Sequence, residues 1–239
     1  MTLEHDHSTS AIRERLAKGA TPNYLRDWIY GGIDGAVTTF AIVAGVIGAQ
    51  LSSAIIIILG LANLLADGFS MAASNYSGTK TELDDLERLR EIERRHIKLA
   101  PDGEREELRQ ILQSKGLKGH AMEEALEAIA ANEETWINTM LTEEYGKSLT
   151  PRSPMKSALA TFSAFIVCGA VPLLPFFTDL TAPFAVSVFM TAMVFFLIGA
   201  IKSNWSLAPW WRSGIETLVI GMLAAGAAFY VGYLLKGLT

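Results

Sequence analysis

This chain of 239 residues contains five long apolar stretches. The length of each is close to the roughly 20 residues that a helix needs to cross a bilayer. They run over about 28–49, 54–76, 158–177, 182–201 and 214–235. The first begins after a polar tail and lacks a small-residue cleavage site followed by a soluble domain, so it is not a signal peptide. Pro172 and Pro175 remove backbone donors near the end of the third stretch and predict a kink or an early helix end there.

The segment between the second and third stretches is polar and helical in pattern. Leu83, Leu86, Leu89 and Ile92 recur at helical spacing, and no helix breaker precedes Pro101. The second span is therefore predicted to continue straight into the cytoplasm as one long helix.

Three shorter helices are predicted to complete this insert. Pro101 should end the long helix and Asp102 should cap the next one, which stops near Gly116. A third helix is predicted from about His120, and a fourth over 133–145. Their apolar stripes are thin, which favours a small domain on the membrane surface that a second subunit completes.

The predicted fold is all-α: a five-span transmembrane helical bundle with a small cytosolic helical domain inserted between spans two and three. The segments are a cytosolic N-terminal tail at 1–26, spans one and two at 27–78, the insert at 79–150, and spans three to five at 151–239.

Charge is concentrated in the insert. Between Lys80 and Lys147 lie 17 of the acids and 11 of the bases, out of 25 and 20 in the whole chain. A soluble domain spreads its charges over its surface, so this distribution excludes a simple globular enzyme and a disordered chain. The net negative insert argues against nucleic-acid binding, and a single cysteine, Cys168, excludes an intramolecular disulfide and a cysteine-based zinc site.

The basic residues outside the insert predict the orientation of the chain. They fall in three groups: before span one, before span three, and between spans four and five. These residues are Arg13, Arg15, Lys18, Arg26, Arg152, Lys156, Lys202 and Arg212. Five spans place all three groups on one side, which the positive-inside rule makes the cytoplasm. The N-terminus and the insert are thus expected in the cytosol and the C-terminus outside, in a bacterial inner membrane.

Small residues recur along span one. The pairs four residues apart are Gly31/Gly35, Ala41/Gly45 and Ala44/Gly48. Such pairs allow close approach of another helix, which could belong to the same bundle or to a second copy across a dimer seam.

Two carboxylates lie within the predicted spans. Asp34 is in span one and Asp67 in span two; Met71 lies one turn after Asp67 and Asn63 one turn before it. Acids inside a membrane are costly and usually face a cavity or a partner, although Asp67 could instead be hydrated at headgroup level. Two carboxylates with a thioether suit a divalent first-row metal ion.

The insert carries further groups that could bind metal. They are Glu93 with His96, Glu104 with Glu107, and Met140 with Glu143 and Glu144. Each group projects from one helix face, so three helices could converge on a polynuclear carboxylate site, or each could be a solvated face. Met140 favours the site, because a solvated face has no need of a thioether. A di-iron oxidase needs two Glu-x-x-His pairs, and only Glu93-x-x-His96 is present.

Two runs resemble a known family. Tyr30-Gly-Gly-Ile-Asp-Gly-Ala-Val-Thr-Thr-Phe-Ala-Ile-Val-Ala-Gly45 is similar to the first span of the vacuolar iron transporter family, and Gly60-Leu-Ala-Asn-Leu-Leu-Ala-Asp-Gly-Phe-Ser-Met-Ala-Ala-Ser-Asn-Tyr76 to its second. The resemblance implies a homodimer that moves ferrous iron, and often manganese, out of the cytosol, in exchange for protons. It also implies that the insert is a cytosolic metal-binding domain.

The resemblance also implies roles for single residues. Asp34 and Met71 match pathway residues of the family, and five positions match its insert ligands: Glu93, Glu104, Glu107, Met140 and Glu144. Asn63 and His96 stand where plant members have glutamates. Asp67, one turn from Asn63, is expected to replace the missing pathway carboxylate, which moves the proton-coupling group.

The predicted function is export of Fe²⁺, Mn²⁺ or both from the cytosol by proton antiport. Its partners are the metal ion, protons, the lipid bilayer and a second copy of the chain, with no prosthetic group, no enzymatic activity and no nucleic acid. Two alternatives remain from the sequence: a membrane-anchored iron oxidase that uses the insert, and a metal sensor or scaffold that does not transport.

Overall fold

The computed structural model describes residues 5–178 and 180–235, and over those residues the regular elements are all helices, which confirms the all-α class. The α-helices are α1 (Thr9–Lys18), α2 (Leu25–Gly48), α3 (Ser53–Leu99), α4 (Pro101–Ser114), α5 (Gly119–Ala130), α6 (Glu133–Glu143), α7 (Pro154–Ala170), α8 (Pro183–Lys202) and α9 (Trp210–Leu235). Two 3₁₀ helices, Val171–Phe177 and Ser203–Trp205, extend α7 and α8.

Five of the helical segments are long and apolar enough to cross a membrane. They are Leu25–Gly48, Ser53–Leu99, Pro154–Phe177, Pro183–Trp205 and Trp210–Leu234. These are the five predicted stretches, so the chain is a multi-pass membrane protein. The second is 47 residues long and unbroken, as the insert pattern predicts.

The chain forms two compact units. One comprises Asn23–Thr79 and Ser153–Thr239, and we call it the bundle. The other comprises Met1–Pro22 and Lys80–Arg152, and it holds the insert.

In the bundle, the small residues of α2 pack against helices of the same chain. A Cβ atom at Gly31 would fall on the backbone of Thr161, and one at Gly35 on the backbone of Phe165, both in α7. At the other end, a Cβ at Gly48 would meet the backbone of α9. Close packing inside one bundle therefore accounts for these glycines, the first of the two interpretations that the sequence left open.

The prolines of the third span end its α-helix. The α-helix α7 stops at Ala170, and Val171–Phe177, which contains Pro172 and Pro175, is a 3₁₀ helix. The freed carbonyl of Pro172 accepts a hydrogen bond of 2.7 Å from the buried Ser187 hydroxyl of α8. The predicted early end of the helix is thus confirmed, and a neighbouring helix satisfies the exposed backbone group.

The insert has an apolar core of its own. Leu108, Leu126, Trp136 and Met140 form one buried cluster, which α4, α5 and α6 share. Leu86 and Leu89 of α3 pack in a second cluster, against Ile137 and Leu141 of α6. Burial of these side chains stabilises the insert within one chain.

Two of the predicted boundaries were wrong, and one helix was missed. Ala100, not Asp102, is the N-cap of α4, and Pro101 occupies its first turn, where a missing N–H costs nothing. The last helix of the insert ends at Glu143 rather than at 145. The N-terminal tail contains α1, whose Ser8 hydroxyl accepts a hydrogen bond from the Ala11 N–H, an N-cap that sequence reasoning missed.

Candidate functional site

The predicted pathway residues of α2 and α3 lie beside one another in the bundle. The Asn63 side-chain amide donates a 3.1 Å hydrogen bond to Oγ1 of Thr38, which in turn donates to the backbone carbonyl of Asp34 at 2.9 Å. Asp34 lies one turn before Thr38 and Asp67 one turn after Asn63, so the Asn63–Thr38 hydrogen bond brings the two acids to adjacent faces of α2 and α3. Met71, one turn from Asp67, packs against the main apolar cluster of the bundle.

This polar strip is only partly covered by its own chain. Asp34, Thr38, Asn63 and Asp67 are all half-buried, whereas α2 residues on the opposite side, such as Ala36, are fully buried. The strip therefore combines two acids, an amide and a hydroxyl on one accessible side of the bundle.

A second polar cluster in the bundle was missed by sequence reasoning. The Asn75 amide nitrogen lies 3.0 Å from Oδ1 of Asp27, 2.6 Å from Oγ1 of Thr161 and 3.2 Å from the carbonyl of Ser157. Asp27, Ser157 and Thr161 are buried. This cluster joins α2, α3 and α7. Asp27, an acid in the first turn of an apolar helix, was the one sequence feature that could have indicated this cluster. Nothing in the sequence around Asn75 or Thr161 indicates that they belong to it.

In the insert, two of the predicted metal ligands are buried carboxylates. Glu93 of α3 is fully buried and Glu104 of α4 is 5% exposed. The Tyr145 hydroxyl donates a 2.9 Å hydrogen bond to Oε1 of Glu93. Oε2 of each glutamate is buried and accepts no hydrogen bond from the described residues. Buried, unpartnered carboxylate oxygens are costly, and a cation is the group that would satisfy them.

The electrostatics of this cluster favour a positive ligand. Burial, followed by the charges of Glu93, Glu107 and Glu144, raises the pKa of Glu104 to about 7. Burial and the charges of Glu93 and Glu107 also raise the pKa of Glu144. The pKa of Tyr145 is raised by burial and then by its hydrogen bond to Glu93. Burial, which disfavours the charged form of each group, is the common and largest cause, and the neighbouring negative charges add to it.

The other predicted ligands of the insert differ in whether they lie near Glu93 and Glu104. His96 joins the cluster, with Nδ1 3.3 Å from Oε1 of Glu104 and 3.9 Å from Oε1 of Glu93. Glu143 does not, since its carboxylate forms a 2.6 Å ion pair with Lys115. Met140 is fully buried in the apolar cluster around Leu108, so packing explains a methionine there without any metal.

Several of the predicted ligands of the insert thus lie in one cluster around Glu93 and Glu104. Over residues 5–178 and 180–235, no group of three or more His, Cys, Asp or Glu side chains has the arrangement of a metal site. Whether Glu93, His96, Glu104, Glu107, Met140, Glu143 and Glu144 bind metal stays a prediction.

Comparison with known proteins decides the family. The model of the VIT family matches residues 25–233, nearly the whole chain. The chain belongs to the VIT family. It is 33% identical to vacuolar iron transporter 1 of Arabidopsis thaliana over 208 residues, which cover 86% of this chain and 83% of that protein.

Two further relatives widen the comparison. Vacuolar iron transporter 1 of Tulipa gesneriana is 33% identical over 229 residues, covering 93% of this VIT-family chain and 92% of the relative. The vacuolar iron transporter of Plasmodium berghei is 28% identical over a match that covers 97% of the chain and 89% of the relative. These relatives are named as transporters and not as enzymes, in agreement with the prediction of a non-enzyme.

Proposed function

We propose that this VIT-family chain transports Fe²⁺, Mn²⁺ or both out of the cytosol in exchange for protons. The observation that carries the proposal is the pair of carboxylates, Asp34 and Asp67, on adjacent faces of two membrane-spanning helices that the Asn63–Thr38 hydrogen bond joins. Two acids in an apolar layer are costly, and such residues commonly mark an ion pathway or a proton relay. The iron transporters named above are similar over most of the chain.

The ligand set of the polar strip suits a first-row divalent ion. Asp34 and Asp67 supply hard oxygens, Asn63 a neutral oxygen, and Met71 a soft sulfur one turn further along α3. An oxygen-rich set with one thioether accepts Fe²⁺ and Mn²⁺ and gives no advantage to Na⁺. The Asn63 amide nitrogen donates to Thr38, so the carbonyl oxygen of Asn63 is the atom that would bind the ion.

A second copy of the chain would complete the pathway. The polar strip is half-buried in one chain, and lipid cannot hydrogen-bond to its carboxylates. A homodimer that brings two strips together across a two-fold axis removes this exposed polar surface and doubles the number of ligands.

The insert would capture the ion before transport. Its buried glutamates, Glu93 and Glu104, carry unpartnered oxygens, with His96, Glu107 and Glu144 alongside. Metal competes with protons for such carboxylates, so a cation is held when they are ionised and released when they are protonated. The same competition at Asp34 and Asp67 would couple the metal to protons that enter from the far side of the membrane.

The three groups of basic residues support the direction of transport. They follow the positive-inside rule, so the N-terminus and the insert face the cytosol and the C-terminus lies outside. In a bacterial inner membrane this orientation places the metal-capturing insert on the cytosolic side, from which an exporter takes up its ion.

Metal flux into proteoliposomes tests the proposal. The full chain is reconstituted, and uptake of Fe²⁺, Mn²⁺ and Zn²⁺ is measured with and without a pH gradient. Asp34→Ala should abolish Fe²⁺ and Mn²⁺ flux, whereas Glu14→Gln, which removes an exposed charge from α1, should transport like the unmodified chain. Wild-type flux by Asp34→Ala would end the proposal.

The same preparation tests the alternatives. A carboxylate-bridged iron oxidase would consume oxygen when Fe²⁺ is added and would show no flux. A sensor would bind metal without either. Metal-dependent flux without oxygen consumption supports the transporter.

A further inference from the structure

A pocket of about 390 Å³ lies at one end of the bundle, and neither Asp34 nor Asp67 lines it. Its lining joins the beginning of α2 to the end of α8. The lining residues are Asn23, Leu25, Arg26, Ile29, Tyr30, Lys202 and Trp205. None of these residues is needed by the transport mechanism, so the pocket requires its own explanation.

Two cationic side chains, Arg26 and Lys202, line this pocket. Arg26 lies at the beginning of α2, and its guanidinium sits over the Tyr30 ring, 5.3 Å from the ring centroid. Within the part of the chain that the structure describes, no carboxylate forms an ion pair with Arg26. Lys202, the last residue of α8, has its Nζ 3.8 Å from Oε2 of Glu216, and both side chains are substantially exposed. An exposed ion pair at this distance contributes little, so Lys202 is available to an anion.

The other lining residues are those that suit a lipid. Leu25 and Ile29 are apolar, and Tyr30 and Trp205 are aromatic residues at the ends of membrane-spanning segments, where lipid headgroups lie. Basic pockets between transmembrane helices commonly bind anionic headgroups. A free phosphate ion would use the two cations and leave the apolar lining without a role.

We infer that the pocket between Arg26 and Lys202 binds an anionic phospholipid. Its phosphate lies between the guanidinium and the ammonium group, and an acyl chain lies along Leu25 and Ile29. Charge complementarity selects the headgroup, since a zwitterionic lipid carries its own compensating cation. The lipid would bridge α2, which carries Asp34, to α8.

Native mass spectrometry of the full chain in detergent tests this inference. The protein is offered phosphatidylglycerol and phosphatidylcholine with identical acyl chains. The unmodified chain should retain phosphatidylglycerol preferentially. The double variant Arg26→Gln/Lys202→Gln should bind phosphatidylglycerol with an affinity lower by about tenfold or more. The reason is that a hydrogen bond to a charged group contributes at least the free energy of a tenfold change in affinity.

Two further variants distinguish the effect of the pocket's own cations from the effect of positive charge elsewhere on the surface. Lys156→Gln/Arg212→Gln removes two exposed cations of the same bundle that do not line the pocket, and it should keep the preference. Arg26→Lys/Lys202→Arg preserves both charges and should also keep it. Equal retention by the unmodified chain and Arg26→Gln/Lys202→Gln overturns the inference, as does an equal loss in the Lys156/Arg212 control.

A second measurement needs no variant and so does not depend on the folding of one. Thermal unfolding of the unmodified chain is followed with added phosphatidylglycerol, phosphatidylcholine or inorganic phosphate. A rise in the unfolding temperature with phosphatidylglycerol alone supports the lipid site. An equal rise with inorganic phosphate shows a free-anion site, and an equal rise with phosphatidylcholine shows a bulk lipid effect; either result overturns the inference.

Discussion

Asn75 of α3 holds Asp27 of α2, with its amide nitrogen 3.0 Å from Oδ1 of that buried carboxylate. The same nitrogen reaches Oγ1 of Thr161 in α7, and the Thr161 hydroxyl in turn donates to the backbone carbonyl of Asp27 at 3.2 Å. One amide therefore ties together three helices of the bundle that come from distant parts of the chain.

We expect Asn75→Ala to destabilise the bundle by about 1–3 kcal/mol, because it removes a donor from buried acceptors. The measurement is thermal or denaturant unfolding in detergent. Ser70→Ala, at an exposed position of the same helix, is the control and should unfold like the unmodified chain. An Asn75→Ala variant as stable as this control would show that the hydrogen bonds to Asp27 and Thr161 add nothing to stability.

Gly31→Ala should weaken the contact between α2 and α7. The new methyl group would overlap the backbone of Thr161, which cannot move without shifting the helix, so a cost of about 1–3 kcal/mol is expected. Gly45→Ala is the matched control, because a Cβ there has nothing within 4 Å. It should be neutral or slightly stabilising, since alanine favours helix over glycine. Equal unfolding temperatures for the two variants would contradict the close packing.

Met140→Ala should cost about 2–5 kcal/mol, as expected for truncation in a packed core, whereas Met140→Leu should cost less than about 1.5 kcal/mol. Unfolding is measured with a chelator present, so that metal does not contribute. Met155, which is 57% exposed, supplies the control: Met155→Ala should have little effect. Mn²⁺ binding by Met140→Leu then tests the sulfur as a ligand, since weaker binding at unchanged stability assigns it that role.

The raised pKa of Glu104 predicts how the metal-free insert responds to pH. Its pKa is about 7 in the folded chain against an ordinary value of 4.5, which we take for the unfolded chain, so the folded chain binds the proton more tightly. The corresponding stability is fully present below pH 4.5 and is lost as the pH rises through about 7. Metal binding should change in the opposite sense and tighten over the same window, because metal competes with the proton.

Calorimetric unfolding and Mn²⁺ titration across this window check both trends. Glu104→Gln, which cannot ionise, should flatten the pH dependence of unfolding and weaken Mn²⁺ binding. If Glu104→Gln kept the full pH dependence, another group would be responsible.

The helices themselves could be predicted from the sequence because their signals are local. Apolar length defined the spans, helical spacing from Leu83 onward extended α3 to Leu99, and Pro172 and Pro175 marked the end of α7. Capping was predicted less well. Pro101 was expected to stop one helix, and it also starts the next, since the first turn of a helix needs no N–H from it.

The candidate sites were only partly predictable, because side chains meet according to the rotation of each helix. Glu143 and Glu144 are neighbours in sequence, yet they have different surroundings. Glu143 forms an ion pair with Lys115, whereas the charge of Glu93 helps to raise the pKa of Glu144. The thioether of Met140 suggested a ligand, and the structure buries it in the core of the insert.

The sequence alone determined the five spans, the all-α class, the charged insert and the presence of two acids in the apolar stretches, because hydropathy and helical periodicity act over a few turns of one segment. Only the tertiary structure decided that Asn75 meets Asp27 and Thr161, which lie 48 and 86 residues from it along the chain. It also decided that Glu93 and Glu104 are both buried and near enough to share one cluster. Burial and hydrogen bonding between distant residues depend on how whole helices pack, and no local pattern encodes that packing.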